Sequence, residues 1–260
     1  MSRLSSVFLL AALGLLSAVP RLVAQGNYEI QVYGAETVPR GRTMVELHSN
    51  FTVDGQSTTG DGTYGTNHAQ HETLEITRGL SDWAEVGFYV FTSVHRGEGA
   101  QWVGDHIRPR VRVPESWGWP VGVSVSQEIG YQRAEFSPDT WTYELRPIVD
   151  RHWGPWYAAF NPALEKSLHG PSAAQGFAFS PNASVARDVT RKVNVALEYY
   201  GAWGPVRALD APGDRAQQLF GALNLDIGPA WELNVGYGQS FNGVGDRRLV
   251  KVILGRLLGE

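Results

Sequence analysis

Apolar and polar residues alternate along this chain with a period of two, in stretches of about ten residues or more, from Thr43 to Leu257. Read as strands, the stretches number twelve: 43–53, 68–79, 83–96, 101–114, 120–132, 140–153, 156–168, 176–188, 192–204, 217–228, 231–241 and 249–257. The connectors alternate in length. Leu80-Ser81-Asp82, residues 115–119, Gly154-Pro155, Val189-Thr190-Arg191 and Pro229-Ala230 are short, whereas 54–67, 133–139, 169–175 and 205–216 are longer; 97–100 and 242–248 are modest members of the long set. An even number of strands, with short turns at one end and longer loops at the other, is the plan of an all-β transmembrane antiparallel barrel with short periplasmic turns and longer extracellular loops. A soluble sandwich is the competing all-β plan, but soluble strands average only about five or six residues.

Because successive side chains point to opposite sides of a strand, alternation assigns faces. In 106–113, Ile107, Pro109, Val111 and Val113 share one face, and His106, Arg108, Arg110 and Arg112 share the other. Lipid contact by an arginine at the bilayer midplane would cost about 2–4 kcal/mol, so the arginine face is predicted to look inward. The same rule turns Glu144, Arg146 and Asp150 inward, together with Glu46, Glu75, Glu85, Glu128, Glu165, Glu198, Glu232 and Lys251, and with His48, His71, His95, Ser124, Asn161, Asn194, Asn224 and Asn234. The candidate lumen residues are Arg108, Arg110, Arg112, Glu144, Arg146 and Asp150 as a central charged wall, with Glu46, Glu75, Glu128, Glu165, Glu198 and Lys251 around it. Two readings stay open: a narrow polar path whose charge tunes selectivity, or a salt-bridged filling that stiffens a closed barrel. Carboxylates outnumber basic groups on the inward list, so an open lumen should favour cations. Asn161-Pro162 interrupts a strand and is read as a bulge, with a constriction as the alternative.

Upstream of the strands, Arg3 followed by the apolar run 7–19 and Leu22-Val23-Ala24 reads as a secretory signal peptide over residues 1–24. Residues 25–42 form a leader, a short strand or a plug, ahead of the barrel at 43–260. Cysteine is absent, which excludes a disulfide framework. A net charge of −4 with no basic run argues against nucleic acid. Trp83, Trp117, Trp119, Trp153, Trp156 and Trp231 all sit at short turns, where an aromatic girdle would anchor the barrel at the membrane interface. The predicted surroundings are outer-membrane lipid and lipopolysaccharide, reached through the barrel-assembly machinery, although the chain lacks the aromatic last residue common in such barrels.

No motif for catalysis, a cofactor or a metal emerges. Gly122-Val123-Ser124-Val125-Ser126 lacks the second glycine of a nucleophile elbow. His68 and His71 fall on opposite faces of a strand, which argues against a shared metal. Asp210 and Asp214 read as a solvated turn rather than a calcium loop. A barrel-wall lipid hydrolase pairing His48, His71 or His95 with Ser124 has no spacing to enforce it.

Several phrases together carry a resemblance: Glu29-Ile30-Gln31-Val32-Tyr33, Glu72-Thr73-Leu74-Glu75-Ile76-Thr77, Gly104-Asp105-His106-Ile107-Arg108-Pro109-Arg110, Glu144-Leu145-Arg146-Pro147-Ile148-Val149-Asp150, Phe160-Asn161-Pro162, Leu197-Glu198-Tyr199-Tyr200-Gly201 and Lys251-Val252-Ile253-Leu254-Gly255. Over nearly all of the chain beyond residue 24, it resembles the outer-membrane proteins grouped as "MetA-pathway of phenol degradation". The resemblance implies a barrel linked to uptake of aromatic compounds and supplies no catalytic residues. The function expected is therefore passive passage of small solutes through a charged lumen, with the resemblance pointing to aromatic or hydrophobic ones. The alternatives are a closed structural or adhesion barrel acting through its outer loops, and the lipid hydrolase.

Overall fold

The computed structural model describes residues 26–57, 62–95 and 97–259. The signal-peptide reading of 1–24 lies outside these residues. The strands are β1 (Thr43–Asp54), β2 (Gln70–Ser81), β3 (Ala84–His95), β4 (Gly99–Arg112), β5 (Gly122–Gln132), β6 (Trp141–Trp153), β7 (Trp156–His169), β8 (Ala178–Thr190), β9 (Val193–Ala202), β10 (Ala216–Gly228), β11 (Trp231–Ser240) and β12 (Arg248–Leu258). Each strand pairs antiparallel with its sequence neighbours, and β1 pairs with β12 from Thr43↔Leu258 to Asp54↔Arg248, closing the barrel. Closure leaves no edge strand, so each strand finds backbone partners on both sides. At 10–14 residues the strands suit a bilayer, which a tilted strand crosses in about 9–11.

Burial is inverted relative to a soluble protein. Leu47, Leu74, Ile76, Phe88, Ile107, Val111, Phe160, Val185, Leu197 and Leu223 are exposed on the outside, while His48, Asn50, Thr73, Glu75, Glu85, Arg108, Asn161 and Lys251 are buried inside. Such a surface is stable against lipid and not against water, which excludes the sandwich alternative.

Local irregularities follow from particular residues. In β4, Val103 and Gly104 are both buried, and the register against β3 shifts between Phe91 and Thr92. A side chain on Gly104 would collide with the Tyr131 carbonyl, so glycine is required there. The bulge predicted at Asn161-Pro162 is not found. Strand β7 runs unbroken with Asn161↔Asn182 and Pro162↔Pro181 in constant register. What the prolines do is open the ladder between β6 and β7, which pairs Leu145↔Leu164 and next Val149↔Phe160. Pro147 and Pro162, inside that gap, have no N–H to give.

Candidate lumen and its leader

The interior is built around residues 27–42, which cross the barrel from the long-loop end to the short-turn end as one extended chain. They form no ladder with any strand; wall side chains satisfy the backbone instead. At the long-loop end the Asn27 amide donates to Asp246 (2.6 Å), and Asn50 Nδ2 donates to the Asn27 and Tyr28 carbonyls at 3.0 and 3.2 Å. Thr73 Oγ1 holds the Tyr28 carbonyl (2.8 Å) and Lys251 Nζ that of Ile30 (3.0 Å). Midway, Asn161 grips Tyr33 twice. Its Oδ1 accepts from the Tyr33 N–H (2.7 Å), and its Nδ2 donates to the Tyr33 carbonyl (2.9 Å). Below, Arg110 donates to the Gly34 and Glu36 carbonyls at 3.1 and 2.5 Å, Asp150 accepts from the Ala35 N–H (2.9 Å), and Glu85 from the Val38 N–H (2.6 Å). The Gly41 N–H on the Gly79 carbonyl (3.0 Å) anchors the turn into β1.

Leader side chains fill matching apolar niches. Tyr28 packs with Tyr89, Phe91 and Val103, Ile30 with Phe220 and Leu249, and Tyr33 with Ala35 and Ile148. The guanidinium carbons of Arg108 and Arg146 each lie over the Tyr33 ring, 4.9 Å from its centroid. Two cations on one electron-rich ring add about 0.5–2 kcal/mol apiece.

The charged wall residues pair with one another as well as with the leader. Arg108 pairs across β3 with Glu75 of β2 (2.6 Å) and approaches Glu85 (3.5 Å), and it donates to the Tyr89 hydroxyl. Arg110 pairs with Glu85 (2.7 Å), Arg146 with Glu144 of its own strand (2.7 Å), and Lys251 with Glu198 (2.5 Å). Glu128 meets His106 at 2.5 Å. Glu165 stands opposite Glu144 in the β6–β7 register. Arg112 departs from the predicted wall. It lies at the end of β4 and pairs with Glu115 of the following turn (2.8 Å), too near the rim to reach the central row. Glu46 and Glu75 face each other across β1 and β2.

Leader and wall do not fill the lumen. A cavity of about 520 Å³ lies along β8–β12, from Thr190, Arg191 and Lys192 at the short-turn end up to Glu198 and Lys251. A row of amides crosses its wall: Asn234 donates to Asn224 (2.7 Å), Asn224 to Asn194 (2.9 Å) and Asn194 to Asp188 (3.0 Å). At the long-loop end the connectors converge. Asp246 also accepts from Thr66 Oγ1 and the Gln56 N–H, and the Tyr64 N–H meets the Glu135 carbonyl (2.8 Å). The cavity thus reaches the short-turn end, and at the other end the described parts of the loops bond to one another.

All six predicted girdle tryptophans, Trp83, Trp117, Trp119, Trp153, Trp156 and Trp231, are exposed at the short-turn end. Trp102, Tyr131 and Trp141 make an outward cluster near the opposite end, with ring separations of 6.1 and 5.6 Å. Their strand-end positions were the available signal for this second set. Ser124 keeps a buried hydroxyl with no hydrogen-bond partner. His71 and His95 meet Ser93 instead, at 3.3 and 2.9 Å, and the Ser93 hydroxyl donates to the Gln70 carbonyl.

No family model and no curated protein sequence matches the chain. Solved structures do. The COG4313 outer membrane channel from Pseudomonas putida F1 superposes with a TM-score of 0.59 at 12% identity, over 88% of this chain and 100% of that one. The KdgM porin gives 0.54 at 8% identity, over 84% and 99%. The NanC porin gives 0.54 at 8% identity, over 83% and 99%. At such identities the likeness is one of fold: this chain shares the closed antiparallel barrel of these outer-membrane channels and porins.

Proposed function

We propose that the protein is a passive channel of the bacterial outer membrane, closed at rest by its own leader. The observation that carries this reading is the nature of the filling. Small closed barrels are packed by side chains of their own wall. This one is occupied by a single extended segment held mainly through side-chain hydrogen bonds, beside a polar cavity already open at one end. Such a filling can leave without unfolding the wall. The solutes are small molecules, and the resemblance to the phenol-degradation group extends the proposal to aromatic ones. The barrel would sit in outer-membrane lipid and lipopolysaccharide, delivered by the barrel-assembly machinery. The test is planar-bilayer conductance of the mature chain against one lacking residues 26–38. Silence from both, with both folded, would overturn the proposal.

Ion preference follows from the cavity wall. Glu46, Asp188, Glu198, Asp226 and Glu232 face it against Arg191, Lys192 and Lys251. The excess of carboxylates predicts a reversal potential on the cation-selective side in a salt gradient. Glu46→Gln combined with Glu232→Gln should move it towards zero.

The leader also carries a destabilising group. Glu29 is buried, and neither of its carboxylate oxygens has a hydrogen-bond partner. An apolar side chain of similar size removes the unpartnered polar atoms, so Glu29→Leu should seat the leader more firmly by about 1–3 kcal/mol. Fewer spontaneous openings of the full-length chain would be the readout.

A further inference from the structure

We infer that Glu46, His48 and Glu75 form a binding site for a divalent transition-metal cation of the zinc type. One ligating atom from each lies within 4.8 Å of the others, and all three residues are buried. The placement is rigid. Glu46 and Glu75 are directly paired across β1 and β2, and His48 is two residues along β1 on the same inward face.

Two carboxylates alone would not make a site. The imidazole is the independent sign. His48 is 0% exposed, yet neither ring nitrogen has a hydrogen-bond partner. Its Nε2 stands 3.6 Å from Glu75 Oε2, an ion-pair distance if the ring is protonated, and that oxygen has no hydrogen-bond partner. That gap is too long for a hydrogen bond and close to the roughly 3.4 Å that separates two ligands bound tetrahedrally at about 2.0–2.2 Å. Glu75 is already held for the task. Arg108 Nη2 (2.6 Å) and Thr77 Oγ1 (2.7 Å) both occupy its Oε1, which leaves Oε2 to the site. Orientation of a ligand through its other oxygen is the usual second layer of a metal centre.

The surroundings favour a cation and give it a way in. Glu46 lines the open cavity, so water can supply the remaining coordination. Glu232 stands in the same row, separated from Glu46 by Gly255 of β12. Its side chain lies over that glycine, where a Cβ would come within 2.6 Å of it, which leaves a third carboxylate beside the site. Against these stands Arg108, shared with Glu85. An imidazole with carboxylates suits zinc and its first-row neighbours better than calcium or magnesium, which take oxygen alone.

The test uses the mature chain without a histidine tag, refolded in detergent, stripped with chelator and titrated with Zn²⁺ by calorimetry. One saturable site is expected, weakened at least tenfold in His48→Ala and in Glu46→Gln. Each variant is first checked for the heat-dependent gel mobility of a folded barrel. Co²⁺ substitution gives a readout on the unmutated protein: an intense low-symmetry visible spectrum is expected. A weak spectrum like that of hydrated Co²⁺, no saturable Zn²⁺ binding, or equal affinity in His48→Ala would each overturn the site and make His48 a structural imidazolium between carboxylates.

Discussion

Deleting residues 26–38 turns a closed barrel into a steady conductor: that is the largest effect expected of any change to this chain. The segment is held by Asn50, Thr73, Lys251, Asn161, Arg110, Asp150 and Glu85, and none of its backbone joins a strand ladder. The wall keeps its own ladders all the way round, so the barrel should still form. Turn residues Gly41 and Arg42 remain to bond Gly79 and start β1. Planar-bilayer recordings should show sustained openings in the deletion and rare ones in the mature chain. A graded version comes from Asn161→Ala, which removes both bonds to Tyr33 and leaves a buried N–H and carbonyl unpaired. At about 1–3 kcal/mol, the released population should rise roughly 5- to 150-fold. Arg110→Ala, which frees the Gly34 and Glu36 carbonyls, should act in the same direction. A deletion that stays silent while folded would overturn the reading that the leader closes the barrel.

The second large effect is on stability. Arg108 is 2% exposed and balances Glu75 and Glu85 while its guanidinium stacks on Tyr33. Arg108→Met keeps the volume and removes the charge. Arg110 still pairs with Glu85, but among the described residues no other arginine or lysine ion-pairs with Glu75. Stranding one partner of a buried pair costs about 3–5 kcal/mol. Denaturant unfolding in detergent, followed by tryptophan fluorescence, should show the midpoint fall. The companion Glu75→Gln, made together with Arg108→Met, should recover much of the loss, because neither charge is then left alone. Recovery in the double variant separates a charge effect from a packing effect.

The barrel was legible in the order of residues, because a strand with lipid on one side and polar groups on the other writes that contrast into alternate positions. Ile107, Val111 and Phe88 point out while Arg108, Arg110 and Glu85 point in, as period two requires. The turn tryptophans were legible for the same reason, since position along a strand is position across the bilayer. Alternation says which face a side chain takes and is silent on what it meets there. It could not tell that Arg110 would bond the leader's carbonyls, 74 and 76 residues away, or that Asn161 would reach Tyr33 across 128 residues instead of bending its strand. It missed Ile148, Phe220 and Leu249, apolar residues turned inward to receive Tyr33 and Ile30. It also gave no hint that Glu46, His48 and Glu75 converge, because two sit on one strand and the third is set beside them only by the β1–β2 register. What the sequence determined by itself was the closed antiparallel wall and its inside and outside, since each strand carries that information locally. What only the tertiary structure decided was that the lumen holds its own leader, because those contacts join residues with no sequence relation until the barrel has closed around them.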